Sequence, residues 1–184
     1  VRMVWDRWGL PPFNFNGQMG VPMEMSLSKY EGCYYLQANP VEEIKSIYKN
    51  TNTYKNIPLA PEEIFSETLQ CTAQLVKFKG ENLESGVLTV SIFGRSIGFD
   101  FANNKMNIGD CTAPITLTHS GFDIIVLIDR CSMEVFADGG KIFVSCLNNS
   151  TVSDFNIPYL IIQADRKITL ENVEINSLDS IWGK

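Results

Sequence analysis

The densest run of chemically capable side chains is Asp129-Arg130-Cys131-Ser132-Met133-Glu134-Val135-Phe136-Ala137-Asp138-Gly139-Gly140. It holds carboxyl groups, a guanidinium and an aromatic ring close together, the set with which proteins grip sugar hydroxyls. Carboxylates accept hydroxyl protons, Arg donates from a planar fork, and a ring covers the apolar side of the sugar. Asp129, Arg130, Glu134 and Phe136 are therefore the candidate carbohydrate-binding residues. The same run also reads as plain structure, an Arg130 to Glu134 ion pair ordering a hairpin, and that reading requires no ligand. Catalytic readings fare worse. A glycosidase needs two carboxyl groups about 5 to 9.5 Å apart in a cleft, and a hairpin offers Asp129 and Glu134 no evident pocket. His119, the sole histidine, stands beside a turn in Thr118-His119-Ser120-Gly121 with no nucleophile-elbow spacing nearby. Asn103, Asn104, Asp110 and Asp138 are turn formers before they are ligands, so no metal and no cofactor is expected.

These residues need a frame, and the periodicity along most of the chain is two rather than 3.6. Leu88, Val90 and Ile92 alternate with Thr89 and Ser91, as Phe99 and Phe101 alternate with Gly98 and Asp100. Further strands are expected over Met23–Leu27, Cys33–Ala38, Ile44–Tyr48, Glu67–Phe78, Ile115–Thr118, Phe122–Asp129, Met133–Ala137, Lys141–Leu147, Tyr159–Ala164 and Ile168–Ile175. In the run that opens this section, alternation puts Met133, Val135 and Ala137 on one face and Ser132, Glu134 and Phe136 on the other. Asn103-Asn104, Ser120-Gly121 and Asp138-Gly139-Gly140 supply turns. Ala60-Pro61-Glu62-Glu63-Ile64-Phe65 looks like a helix start, with room for a turn or two. About a dozen short strands with almost no helical periodicity indicate an all-β antiparallel sandwich or barrel.

Composition narrows the partners. The 184 residues are 45% hydrophobic and 20% charged, enough apolar surface for a folded core. Lys and Arg number 15 against 21 acids, a formal charge of -6 with no basic cluster, which argues against nucleic acid and anionic membranes. The longest apolar stretch, Ile124 to Ile128, is far short of a membrane span of about 20 residues. The cysteines at 33, 71, 111, 131 and 146 are odd in number and show no paired spacing, so free thiols acting as small core hydrophobes are expected. Unpaired thiols favour a reducing, cytoplasmic setting, with an extracellular one as the alternative. Residues 1–22 differ in character: Trp5, Trp8, Phe13 and Phe15 lie among Pro11, Pro12 and Pro22, too stiff for a helix and too apolar for a free tail. The segment packs either on its own sandwich or on a domain beyond this chain.

Three blocks resemble one family. Gly17-Gln18-Met19, Val21-Pro22, Glu24 and Ser26-Leu27 are similar to the segment leading into the C-terminal module of glycoside hydrolase family 32, the invertases, levanases, inulinases and sucrose-6-phosphate hydrolases. Leu36-Gln37-Ala38-Asn39-Pro40-Val41 resembles that family's next block, and Asp129 to Phe136 its late one, with Cys131 in place of the usual Ser and Met23 in place of the common Arg. The resemblance implies a two-sheet antiparallel β-sandwich of the concanavalin or jelly-roll kind over residues 23–184. It implies that residues 1–22 are the linker and last strand of an N-terminal five-bladed β-propeller that carries the catalytic acids. Trp5, Trp8, Phe13 and Phe15 are then interdomain contacts. The propeller's acidic motifs, Asn-Asp-Pro-Asn, Arg-Asp-Pro and Glu-Cys, have no counterpart here: Asp6-Arg7 and Asp165-Arg166 have the wrong order and no Glu precedes a Cys. The chain alone is expected to be inactive. Two roles follow from the resemblance: a structural module that stabilises the propeller and bridges subunits of an oligomer, or a module that binds fructan or sucrose.

Overall fold

Apolar side chains at alternate positions leave each strand with one water-avoiding face, and two sheets bury those faces against each other. The computed structural model describes residues 3–4, 18–81, 86–109, 111–115, 121–129, 132–147 and 159–179. Trp5, Trp8, Phe13, Phe15, His119, Arg130, Cys131 and Trp182 lie outside them. The strands are β1 (Met3–Val4), β2 (Gln18–Met19), β3 (Met23–Tyr30), β4 (Cys33–Pro40), β5 (Tyr48–Leu59), β6 (Ile64–Thr68), β7 (Gln74–Glu81) and β8 (Val87–Ile92). They continue with β9 (Arg95–Asp100), β10 (Lys105–Ile108), β11 (Cys111–Pro114), β12 (Gly121–Ile128), β13 (Ser132–Ala137), β14 (Ile142–Leu147), β15 (Tyr159–Ala164) and β16 (Ile168–Leu178). Sheet one runs β14-β13-β12-β7-β16-β5 and sheet two β11-β10-β9-β8-β15-β6, every pairing antiparallel. The fold is thus the expected all-β, two-sheet antiparallel sandwich.

Between the sheets, Val76, Phe78, Val126, Val135 and Val173 of sheet one meet Leu88, Val90, Ile97, Phe99 and Ile162 of sheet two. Phe78 packs edge-on to Phe99 at 6.1 Å, and Phe101 stacks on Phe122 at 5.6 Å. The Phe122 ring lies across its cross-strand partner Gly80, where a Cβ would stand 2.7 Å from Cζ, so a side chain at 80 would displace the ring.

Several elements differ from the sequence reading. Ile44–Tyr48 is no strand: Glu42–Ile47 winds into a 3-10 helix, with Ile44 N–H donating to the Val41 carbonyl at 3.2 Å and Lys45 paired with Glu42. Ile44 and Ile47, three apart, thereby fall on one side, where they join a second apolar cluster with Val21, Tyr48, Leu75, Ile125, Leu127 and Leu178 on the outer face of sheet one. Glu67–Phe78 is two strands, because the chain leaves sheet two after β6 and enters sheet one at β7. The Gln74 side chain closes that crossing by donating to the Cys71 carbonyl at 2.7 Å. The expected helix start at Ala60 is a turn, closed by Glu63 N–H to the Ala60 carbonyl at 2.8 Å, that leads straight into β6. Of the strand expected over Ile115–Thr118, only Ile115 is described, just after β11, and the rest lies outside the described residues. Among the described thiols, all free, Cys33 and Cys111 are exposed and Cys71 half-buried, and only the half-buried Cys146 packs against the core.

Candidate functional site

Strand β13 is buried on both faces. Met133, Val135 and Ala137 enter the core as alternation requires, and Ser132, Glu134 and Phe136 face outward, where other chain segments cover them. Glu134 is 1% exposed, and both of its carboxyl oxygens accept from the backbone N–H of Val21, each at 3.1 Å. This three-centre bond ties the segment entering the sandwich to a strand 113 residues later. Phe136 is also 1% exposed and lies against Phe143 with ring centroids 4.8 Å apart. Asp129 closes the β12–β13 turn: its carboxyl accepts from Ser132 N–H at 2.8 Å and from the Ser132 hydroxyl at 3.2 Å.

The structure thus places the described members of the sequence-predicted sugar cluster in different surroundings. Glu134 and Phe136 are packed inside, Asp129 belongs to a turn, and Arg130 lies outside the described residues. Strand alternation correctly opposes Glu134 to Met133. It does not show that the outer face is covered, because the cover is remote in sequence.

Beside it, against β14 and the turn after β13, lies the β3–β4 hairpin, which presents two unlike faces. Its polar face docks on the turn after β13. There Asp138, Gly139 and Gly140 all adopt positive φ, of 52°, 65° and 90°. A Cβ on Gly140 would lie 2.5 Å from the Ala38 carbonyl oxygen, so only glycine lets β4 approach this closely. Asn39 donates to the Gly139 carbonyl at 2.8 Å. Lys141 has a side chain only 6% exposed, with Nζ 3.5 Å from Asp138 Oδ2 and 5.1 Å from the ring centroids of both Tyr30 and Tyr35. A cation held between two ring faces and a carboxylate fastens the hairpin to the sandwich. The opposite face carries Met25, Leu27, Tyr34 and Leu36, which are 53%, 72%, 71% and 58% exposed and stand together in the cross-strand register.

A cleft of about 290 Å³ opens where the base of this hairpin, the Glu42–Ile47 turn and the outer face of sheet one meet. Glu24, Asn39, Lys45, Tyr48 and Lys77 supply its polar wall, and Ile44, Leu75 and Ile125 its apolar floor. Hydrogen bonding to Lys45 holds the Glu42 carboxyl below the usual carboxylate range and Lys45 above its own. Behind Lys77, at 3.2 Å, stands Glu174. Burial pushes that carboxyl up, but hydrogen bonds from Asn176 and Lys77 together outweigh it and leave the group below its ordinary value. At the edge strand β14, burial pushes the Cys146 thiol up to about 11, with Cys111 and Glu134 adding to the effect.

The three sequence blocks meet in this region. Val21 of the first bonds Glu134 of the third, Val41 N–H of the second donates to the Pro22 carbonyl at 3.1 Å, and Glu24 and Asn39 share the cleft. Lys141, Tyr30, Tyr35 and Tyr48 carry no motif, and sequence reasoning misses them for that reason.

No family model matches the sequence. The chain is 21% identical over 215 aligned positions to the levanase of Bacillus subtilis (strain 168), an alignment covering 99% of this chain and 31% of that protein. Among solved structures, an exo-inulinase from Aspergillus awamori matches with a TM-score of 0.74 at 17% identity, over 94% of this chain and 38% of its own. A β-fructofuranosidase from Schwanniomyces occidentalis matches with a TM-score of 0.73 at 14% identity, over 92% of this chain and 42% of its own. The chain resembles the C-terminal sandwich module of family 32 glycoside hydrolases. This module-like chain spans well under half the length of each of these relatives.

Proposed function

We propose that this chain is the non-catalytic C-terminal module of a β-fructosidase acting on sucrose or fructans, and that it packs on and stabilises a catalytic propeller of the same polypeptide. The observation that carries the reading is the Glu134 to Val21 bond. It fixes the point and direction at which the chain enters the sandwich, and a rigid entry is what a module needs to hold a neighbouring domain in one orientation. In this reading residues 1–22 are the connecting segment, and Trp5, Trp8, Phe13 and Phe15 supply its contact with the catalytic domain. The apolar stripe of Met25, Leu27, Tyr34 and Leu36 faces the same domain, because β3 follows that segment directly and the relatives extend far beyond the length matched here.

The described carboxyl groups support the non-catalytic part. Glu134 is enclosed and Asp129 is taken up by a turn, so this pair lacks the open cleft that glycoside hydrolysis requires. The purified 184-residue chain, incubated with sucrose, levan and inulin, is expected to release no fructose above the protein-free blank. Fructose release that scales with chain concentration and disappears in Glu134→Gln would overturn the reading.

A further inference from the structure

We infer that Cys111 and Cys146 are a redox-sensitive pair, and that their oxidation to a disulfide staples the two sheets together along the edge where β11 and β14 run. The inference is independent of the role proposed above, because it concerns a modification of the sandwich itself.

Topology brings the two thiols to one edge. Sheet one ends in β14 on one side and β5 on the other, and sheet two in β11 and β6. Where β5 meets β6 the sheets are held by the chain itself, through the turn between those strands, and by Tyr54 edge-on to Phe65 at 5.2 Å. The opposite edge is formed by β11 and β14, between which the chain runs through β12 and β13, so no single turn ties them. Cys111 opens β11, and Cys146 is the last residue but one of β14.

Register turns both side chains inward. Directly opposed residues of an antiparallel pair point to the same face of the sheet. Cys146 pairs with Met133 and Cys111 with Ile108, and both of those partners belong to the core between the sheets. Each thiol therefore faces the other sheet from its own rim. Cys146 packs against the core and donates to the Met133 carbonyl at 3.6 Å, whereas Cys111 is exposed. Burial is the main cause of the raised Cys146 value and Cys111 the next, an influence that a thiol of the opposite sheet exerts only from nearby. Cys33 sits at the tip of the β3–β4 hairpin, outside both six-stranded sheets, and Cys71 lies in the crossing from β6 to β7, donating to the Ala73 carbonyl at 3.1 Å. Neither stands on the β11–β14 edge.

The oxidant is a small-molecule disulfide of the glutathione class. Exposed Cys111 reacts first: its thiolate attacks one sulfur of that disulfide, forms a mixed disulfide and releases one small thiol, which takes up the Cys111 proton. The Cys146 thiolate then attacks the Cys111 sulfur, forms the bond between the sheets and releases the second small thiol with the Cys146 proton. Two protein thiols are oxidised and one small disulfide is reduced to two thiols. Because the thiolate is the nucleophile, the raised value of Cys146 makes the second step the slow one. The product closes the loop over residues 111–146, and a disulfide between sheets is a linkage that β-sandwiches accommodate.

The test incubates the reduced 184-residue chain with oxidised glutathione, blocks the remaining thiols, and maps the linked peptides by mass spectrometry. The expected product is a monomer with Cys111 joined to Cys146, melting about 5 to 15 °C higher than the reduced chain and returning to it on treatment with dithiothreitol. Cys111→Ser, at an exposed position, should abolish both the link and the gain while moving the reduced melting temperature by no more than about 2 °C. Cys33→Ser should keep both. A mixed disulfide that stays at Cys111, a link to any other cysteine, a disulfide between two copies of the chain, or a Cys111 to Cys146 link that leaves the melting temperature unchanged would each overturn the inference.

Discussion

Along the outer side of sheet two, Thr89, Ser91, Gly98 and Asp100 are half-buried and Ser96 and Gln163 exposed, each between core residues such as Leu88, Val90 and Phe99. Along the outer side of sheet one, Leu75, Leu127, Ser132, Glu134, Phe136 and Asn176 are buried, while Lys77, Ile125 and Glu174 are half-buried and Lys79 and Asp123 exposed. The two sheets share one core and differ in what lies behind them. Sheet two has the one-sided burial usual for an antiparallel sheet, whereas sheet one is also covered over part of its outer side, along β13 and at one end of β7, β12 and β16. The buried polar side chains among the described residues, Gln74, Ser132, Glu134, Asp138, Asn176 and Ser177, belong to sheet one or to the turn after β13. A buried polar group costs free energy unless it is bonded, so its placement marks where the fold specifies a particular arrangement beyond mere collapse. Here the specified arrangement is the seating of the entering segment and the hairpin.

The sharpest way to break that contrast is to remove the cation beneath the hairpin. Lys141→Met takes away the charge facing Asp138 and both tyrosine contacts, and should cost about 3 kcal/mol, or about 6 to 12 °C in melting temperature for a chain of this size. A loss under about 1 kcal/mol would mean that the hairpin is held by its backbone alone. Glu134→Ala comes next, at about 2 to 3 kcal/mol for a lost buried acceptor and the space it leaves. Amide exchange at Val21 should accelerate with it. Thr89→Ala on sheet two serves as the counterpart and should change stability by no more than about 0.5 kcal/mol. Equal costs at Glu134 and Thr89 would erase the distinction between the sheets.

The smallest effect concerns pH and lies on sheet two. Asp100 accepts from the Asn103 side chain at 2.7 Å and from its N–H at 3.0 Å, and these bonds hold its carboxyl below the usual range. A depressed folded-state value stabilises the fold above the unfolded-state value, and the contribution disappears as pH falls through the folded one. Asp100→Asn should therefore remove a small part of the acid dependence of unfolding and leave stability near neutrality slightly lower. A denaturation series between about pH 2 and 6 checks it, and an unchanged acid limb would show that the turn does not depend on the charge.

Much of this architecture is legible in the sequence because the core alternates. β15 follows the expected range from Tyr159 to Ala164 end to end, and β12 and β13 agree to within a residue. β5 is not legible. Its run Lys49-Asn50-Thr51-Asn52-Thr53 reads as loop, because an edge strand pairing with β16 alone needs few apolar residues, and only Tyr54, Ile57 and Leu59 face the core. The site was half legible. Asp129, Glu134 and Phe136 stand out as residue types, but the seating of Glu134 involves Val21, 113 positions away, and no local pattern encodes that. Lys141 shows the same limit from the other side: a lysine after two glycines reads as solvent-facing until Tyr30 and Tyr35 are folded onto it.

The central claim is that the sheet-one side of this sandwich is built to hold a neighbouring domain, and hydrogen exchange tests it most directly. Exchange is measured on the 184-residue chain alone and on the full-length polypeptide that contains it. The account predicts slower exchange in the full-length protein across residues 1–17 and along the hairpin segments carrying Met25, Leu27, Tyr34 and Leu36, with β8 and β9 unchanged. Identical exchange in the two samples, or slowing confined to the outer side of sheet two, would contradict it.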